Sequence, residues 1–311
     1  MDGFLNIHKP AGMTSHDVVS RVRRTLKIKR VGHAGTLDPD ATGVLLVAVG
    51  QATRLLPHLS LEPKVYLATI GFGTATDTED ASGTVTEQAD VSGLTEEALR
   101  RVLPRFVGEI QQVPPMVSAL HHNGQRLYDL ARQGITVERE ARTITIHAIE
   151  LVASATIRVT CGGGTYIRTL CKDIGAALNL PAHMATLARE AVGPYHLADA
   201  IGLDEITEEK LLPMHEALGW PTITVSDHDA AELKLGKVIP SSPSPSSQPC
   251  GGRAEGGEQE TLSPSFPLLP GLGGGGRGEE GSECAALYNE RLLALLRWEG
   301  GHWQPFKVFA E

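Results

Sequence analysis

The stretch GHAGTLDPDATGVLLVAVG, residues 32 to 50, decides how this chain is read. It sets two carboxylates, Asp38 and Asp40, on either side of a proline, and an apolar run from Val44 to Val49 follows at once. Aspartate and proline in a glycine-rich setting specify a turn, because proline presets one backbone angle and aspartate side chains bond nearby amides. The apolar run behind it has the length and composition of a buried strand.

Three readings of Asp38 and Asp40 follow from these residues alone. The pair is turn chemistry and nothing more. Alternatively, Asp38, Asp40 and Thr42 form a D-x-D-x-T motif like that of haloacid-dehalogenase-type phosphatases. That chemistry places its aspartates at the C-terminal end of a buried parallel strand. Here the order is reversed: polar VGHAGT precedes Asp38 and the apolar run comes after Thr42. In the third reading the turn holds one carboxylate at the rim of a cleft, anchored by the strand, as a nucleophile or base that works without metal.

The whole chain bounds these choices. Its 311 residues suffice for one large domain and one small one, and 41% hydrophobic with 21% charged residues is ordinary for a globular protein. A net charge of −9 argues against a uniformly basic nucleic-acid coat. The charge is polarised, however. Residues 1 to 70 hold nine Lys/Arg against five Asp/Glu, and six of those cations crowd into RVRRTLKIKR, residues 21 to 30. The four cysteines show neither C-x-x-C nor zinc spacing, so no metal site is expected. MDGFLNIHKPAG has no apolar signal core and no run is long enough to span a membrane, which predicts a reduced cytoplasmic protein.

Along the chain, Thr14 and Asp17 give a helix-capping signal ahead of Val18, Val19, Val22 and Leu26 at helical spacing. KVYLATIGFG alternates like a strand, and TATDTEDASGTVTEQ turns at Gly83 into another. GQRLYDLARQG, residues 124 to 134, reads as a helix. ARTITIHAIELV and SATIRVTCG read as adjacent antiparallel strands. TYIRTLCKDIGAALNL is an amphipathic helix entered through three glycines. Strands and helices without regular alternation predict an α+β fold with a mainly antiparallel central sheet. Residues 240–283 hold eleven Gly, seven Pro and eight Ser, a composition that cannot bury enough apolar area to order itself. Strand-like sequence on either side of that insert predicts a small C-terminal β domain over residues 220–311, after a first domain of residues 1–219.

Taken together, these blocks are recognisable. GHAGTLDPDATGVLLVAVG resembles the catalytic motif of the bacterial TruB family of tRNA pseudouridine synthases, which isomerise uridine 55 in the TΨC arm. GFLNIHKPAGMTSHDVV, KVYLATIGFGTATDTEDASG, PPMVSALHHNGQRLYDLARQG and CGGGTYIRTLCKDIG fall in that family's order, so the likeness runs over roughly residues 3 to 200. The resemblance implies a pseudouridine synthase fold with a small PUA-like C-terminal domain, acting on the tRNA T-arm as a monomer. It implies Asp38 as the catalytic aspartate and Arg168 as the arginine pairing with it, with Tyr166 close by. His33 resembles the histidine that fills the gap left in the RNA stack, Tyr66 the tyrosine against the uracil, and Leu187 an apolar lining residue of its pocket. Lys9 matches a lysine of the family's N-terminal motif and is grouped with the substrate-binding residues, as are Tyr66, Tyr166, Arg168, Leu187 and His33. Val117 and His121 depart from the family's usual Tyr and Lys.

The chemistry wants these residue types. Pseudouridine formation breaks the N1–C1′ bond, turns the uracil and joins C5 to C1′, so no metal or redox cofactor is required. It needs a carboxylate near the sugar; burial raises the pKa of such a group and a guanidinium opposes that. A uridine in a folded arm must be extruded, and stacking on Tyr66 offsets much of that cost. The basic stretch 21–30 suits the phosphate backbone. The acidic loop TDTEDASG lacks EF-hand spacing and is not read as a calcium site. The rival function is a tRNA-binding or chaperoning protein on the same scaffold without turnover; the presence of every proposed catalytic residue argues against it.

Overall fold

The structure, a computed structural model, describes residues 1–116, 121–122, 125–126, 135, 137–240 and 280–309. Strand β1 (Gly3–Lys9) leads to helix α1 (Ser15–Leu26), whose start carries the expected capping box. Asp17 N–H donates to Thr14 Oγ1 at 3.1 Å and Thr14 N–H donates to Asp17 Oδ2 at 2.9 Å. Val18, Val19 and Val22 form its buried face. Then come β2 (Val31–Ala34), β3 (Thr42–Val49) and β4 (Lys64–Phe72), followed by the β5–β6 hairpin (Thr74–Thr76, Val85–Gln88) around Gly83. Short helix α2 (Glu96–Val102) precedes β7 (Gly108–Gln112). After the pair β8 (His121–His122) and β9 (Gln125–Arg126) come β10 (Arg142–Ala153), β11 (Thr156–Cys161), α3 (Ile167–Ala177), β12 (Ala182–Val192) and β13 (Tyr195–His196).

The main sheet runs β1-β3-β12-β4-β11-β10-β7, with β2 on β3 and β13 on β12. Pairing is mainly antiparallel, and β12 beside β3 is parallel. Strand β3 is buried from Gly43 to Val49, which explains its unbroken apolar sequence. Strand β4 alternates instead, burying Tyr66, Ala68 and Ile70. Their core is completed by Leu37 and Ala41 from the Asp38 turn and by Ile167, Leu170 and Ile174 from α3.

The chain divides into two compact units, one of Leu5–Thr53 and Ser60–Lys210, the other of Met1–Phe4, Arg54–Leu59 and Leu211–Glu311. In the second, α4 (Met214–Leu218) and α5 (Asp227–Lys234) accompany a sheet ordered β14-β16-β17-β18-β15. Its strands are β14 (Thr222–Thr224), β15 (Ile239–Pro240), β16 (Glu283–Tyr288), β17 (Arg291–Glu299) and β18 (His302–Val308). The hairpin expected around Gly300 and Gly301 is β17–β18. Pro240 and Glu283, the outer residues of the Gly/Pro/Ser-rich segment, belong to strands; 241–279 lie outside the described residues. One expectation changes. Gln125 and Arg126, within the helix expected over 124–134, pair with His121 and His122 as strands, and the intervening sequence Asn-Gly is a hairpin signal. Val117 and residues 127–134 lie outside the described residues. Among the described residues no helix is long and apolar enough to cross a membrane.

Candidate active site

Asp38 sits in the turn between β2 and β3, and its neighbours are fixed from below. Lys9 is fully buried, and its Nζ donates to the carbonyls of Met13 at 2.6 Å, Pro39 at 2.8 Å and Pro10 at 2.9 Å. Burial holds its pKa below the ordinary lysine value, against the pull of Asp40 and Asp38. Lys9 thus points into the protein, stapling the turn through Pro39. On the other side of Asp38, buried Ser15 accepts from Leu37 N–H at 3.0 Å and donates back to its carbonyl at 3.3 Å. The glycine at position 43 closes the turn. It has φ +106°, and a Cβ there would stand 2.2 Å from the Arg189 carbonyl oxygen, so a side chain would drive β12 off β3.

Arg168, on the first turn of α3, meets the carboxylate side-on. Its Nε lies 3.2 Å from Asp38 Oδ2 and its Nη2 3.4 Å from Oδ1. The same guanidinium reaches a second carboxylate, with Nη1 3.4 Å from Asp80 Oδ2 and 3.4 Å from the Thr78 carbonyl. Asp80 is itself held, accepting from the Ser82 hydroxyl at 2.6 Å, the Thr78 hydroxyl at 2.7 Å and Ser82 N–H at 3.0 Å. Glu79 beside it adopts φ +63° and is clamped to α3 by Thr169 at 2.7 Å and by the Lys172 ammonium. One cation therefore serves two carboxylates.

The electrostatic balance at Asp38 follows. Surrounding protein pushes its carboxyl above the ordinary range; Arg168 and Lys9 pull down, while Asp80 and Asp40 push up. Arg168 opposes the desolvation without cancelling it. The arginine side chain is 7% exposed, but 38% of the Asp38 side chain remains open. A carboxylate aimed from behind and open in front can act on something that arrives.

Other predicted residues assemble across β4 and β12. Tyr66 pairs in register with Arg189, and Ala68 with Leu187, which puts Tyr66, Leu187 and Arg189 on one face. Leu187 packs, half-buried, against the core that contains Tyr66. Burial raises the Tyr66 phenol's pKa, opposed by the charge and hydrogen bond of Arg189. His33 lies on β2, opposite Val47; burial and then the charges of Arg189 and His16 lower its pKa, so its ring is neutral at pH 7. Tyr166 caps α3 two residues before Arg168, fixed by its backbone: its N–H donates to Gln112 Oε1 at 2.8 Å and its carbonyl accepts from Gln112 Nε2 at 3.0 Å. Among the described residues no three His, Cys, Asp or Glu side chains converge as metal ligands.

Asp80 and Arg189 were not anticipated. Asp80 hides among the acids of TDTEDASG, and only the fold shows which of them reaches Arg168. Arg189 carries a weak signal, an arginine inside the strand-like run ATLAREAV.

Comparison with known proteins adds a family. The TruB family pseudouridylate synthase N-terminal domain matches residues 23–167, and the tRNA pseudouridylate synthase B C-terminal domain matches residues 168–218. A tRNA pseudouridine synthase B from Symbiobacterium thermophilum is 49% identical over 246 residues, spanning 76% of this chain and 82% of its own. One from Dehalococcoides mccartyi is 46% identical over 252 residues, spanning 77% and 84%. Among solved structures, a Cbf5-Nop10-Gar1 complex matches with a TM-score of 0.64 and 25% identity, over 99% of this chain and 85% of that chain. With adjoining domain matches across residues 23–218 and bacterial relatives of this identity, the chain belongs to the TruB family of pseudouridylate synthases.

Proposed function

We propose that this chain, an isomerase acting on tRNA like its curated relatives, converts uridine 55 in the T-arm to pseudouridine with Asp38 as the catalytic group. The observation that carries the reading is the Asp38 carboxylate gripped by Arg168 at 3.2 Å while 38% of its side chain stays open. The extruded uridine would lie against Tyr66 with Leu187 beside it, Tyr166 flanking Arg168, and neutral His33 taking the stacking place the base has left. Lys9 serves by holding the turn. The N1–C1′ bond breaks and C5 bonds to C1′; C5 loses a proton and N1 gains one, so nothing enters or leaves overall. The chain works on this reading as a cytoplasmic monomer, needing no metal or redox cofactor. Its catalytic part is residues 1 to about 219 and its PUA-like part residues 220–311.

The basic end of α1 supports an RNA substrate. Ser20, Arg23, Arg24, Lys27, Ile28 and Lys29 line a hollow of about 530 Å³, and four cations around one depression suit phosphate oxygens. The deciding experiment gives the purified protein an unmodified tRNA transcript and maps any pseudouridine formed. Conversion at position 55, abolished in Asp38→Asn while tRNA binding stays within a few-fold, is the expected result. Conversion at another position, or turnover surviving in Asp38→Asn, overturns it.

A further inference from the structure

Arg189 is the bulkiest of the fully buried side chains among the described residues, at 1% exposure. Among those residues it forms no ion pair. Its Nε donates to the Val44 carbonyl at 2.8 Å and its Nη2 to the Gly35 carbonyl at 3.1 Å, and it stands in register with Tyr66 across the β4–β12 pair, where it acts on the phenol. Its charge lowers the pKa of Lys64, the His33 ring and Lys9, so these neighbours supply no counter-charge. Burying a guanidinium without a counter-charge is among the costlier arrangements a fold can hold. Such an arrangement points to a use of the charge.

The three attachments identify that use. Gly35 lies three residues before Asp38 in the turn, Val44 lies near the start of buried β3, and Tyr66 stands opposite on β4. We propose that Arg189 is a positioning residue of the isomerisation, holding the Tyr66 hydroxyl and the Asp38 turn in one frame and keeping a positive charge behind the base. The proposal rests on the pseudouridine synthase reading. When the N1–C1′ bond breaks, both electrons stay with the uracil, which becomes an anion over N1 and its carbonyl oxygens. C5 then bonds to C1′, its proton leaves, and N1 is protonated. A cation behind Tyr66 favours the anionic ring, and it favours a phenol that gives its proton to N1 and, as phenolate, takes up the proton lost from C5. Arg189 is the cation acting on that phenol; Cys161 from β11 and Asp38 from the turn act the other way, and Lys64 on β4 faces Arg189.

Arg189→Lys keeps the charge and loses the planar fork; Arg189→Met loses both. Tyr66 ionisation is read without RNA, as phenolate ultraviolet absorbance against pH, with the Tyr66→Phe protein of the same background subtracted. The Met variant should titrate at higher pH than wild type and the Lys variant alongside it. In single turnover on a tRNA transcript, the Met variant should slow about a hundredfold and the Lys variant about tenfold, with tRNA binding within twofold in both. A folded Met variant whose Tyr66 titrates as in wild type, or whose rate lies within twofold, overturns the proposal. Should Met at this site prevent folding, the Lys variant decides, and a rate within twofold of wild type overturns it equally. Wild-type protein that makes no pseudouridine would defeat the functional reading alone, since the absorbance titration does not depend on it.

Discussion

Replacing Arg168 by methionine removes the cation between Asp38 and Asp80 while keeping most of the buried volume. The Arg168 Nε to Asp38 Oδ2 distance is 3.2 Å. At that separation the pair is worth ~5 kcal/mol at an effective dielectric of about 20 and ~1.3 kcal/mol in bulk water. With 38% of the Asp38 side chain open to solvent, screening brings the working figure to roughly 2–3 kcal/mol. A factor of ten is about 1.4 kcal/mol, so turnover at neutral pH should fall about 30- to 150-fold. Protein surroundings already hold the Asp38 carboxyl above its usual range, and Arg168 is the largest influence pulling it down. Its loss therefore moves the acid limb of the rate profile to higher pH. Raising the pH should recover the part lost to protonation and leave the part lost to aim. Tritium released from tRNA labelled at uridine C5, measured in single turnover across pH, reports both. An Arg168→Met enzyme with an unmoved acid limb and a rate within threefold of wild type would refute the reasoning.

Four shorter tests follow from the same geometry. Because the Asp38 carboxyl is raised in the folded state, ionisation there works against the fold as pH rises through its folded value. Asp38→Asn should gain stability over wild type at neutral pH and lose that advantage in acid, as thermal melts at several pH values would show. Lys9→Met strands the Pro10, Met13 and Pro39 carbonyls; at about 1 kcal/mol or more each, urea unfolding should report a loss of roughly 3 kcal/mol. Neutralising Lys27 and Lys29 together should flatten the slope of log affinity for tRNA against log salt by roughly 0.7–0.9 for each phosphate no longer neutralised, with the single-turnover rate at saturating tRNA unchanged. Replacing residues 241–279 with a short Gly-Ser linker should leave turnover within about twofold, the tolerance expected of an insert of this Gly/Pro/Ser-rich composition.

Local features of this chain were legible because their physics is local. The capping box of Thr14 and Asp17, the alternation of β4 and the unbroken apolar β3 each declare themselves within a few residues. The Asp38 turn was legible as a turn from Pro39 and its glycines, and its pairing with Arg168 only through resemblance to a family. What pattern alone could not supply is which distant groups share a charge. Asp80 meets Arg168 across 88 residues, and Arg189 meets Gly35 across 154. An acid in an acidic loop and an arginine in a strand look solvated until the fold turns them inward. Lys9 shows the converse: a lysine beside a catalytic motif suggests contact with substrate, whereas burial shows it tying down backbone.

The sheet order has a bearing on how the site is made. Strand β12, nearly the last of its unit in sequence, lies between β3 and β4, which are formed more than a hundred residues earlier. During synthesis the Asp38 turn and Tyr66 emerge first and have no common wall until β12 slots between their strands. Pairing over such separations is slow relative to local hairpins. A ribosome-bound chain that has not yet released residue 192 therefore carries the aspartate but not the frame around it. On the role proposed for Asp38, the site is complete only once β12 is in place.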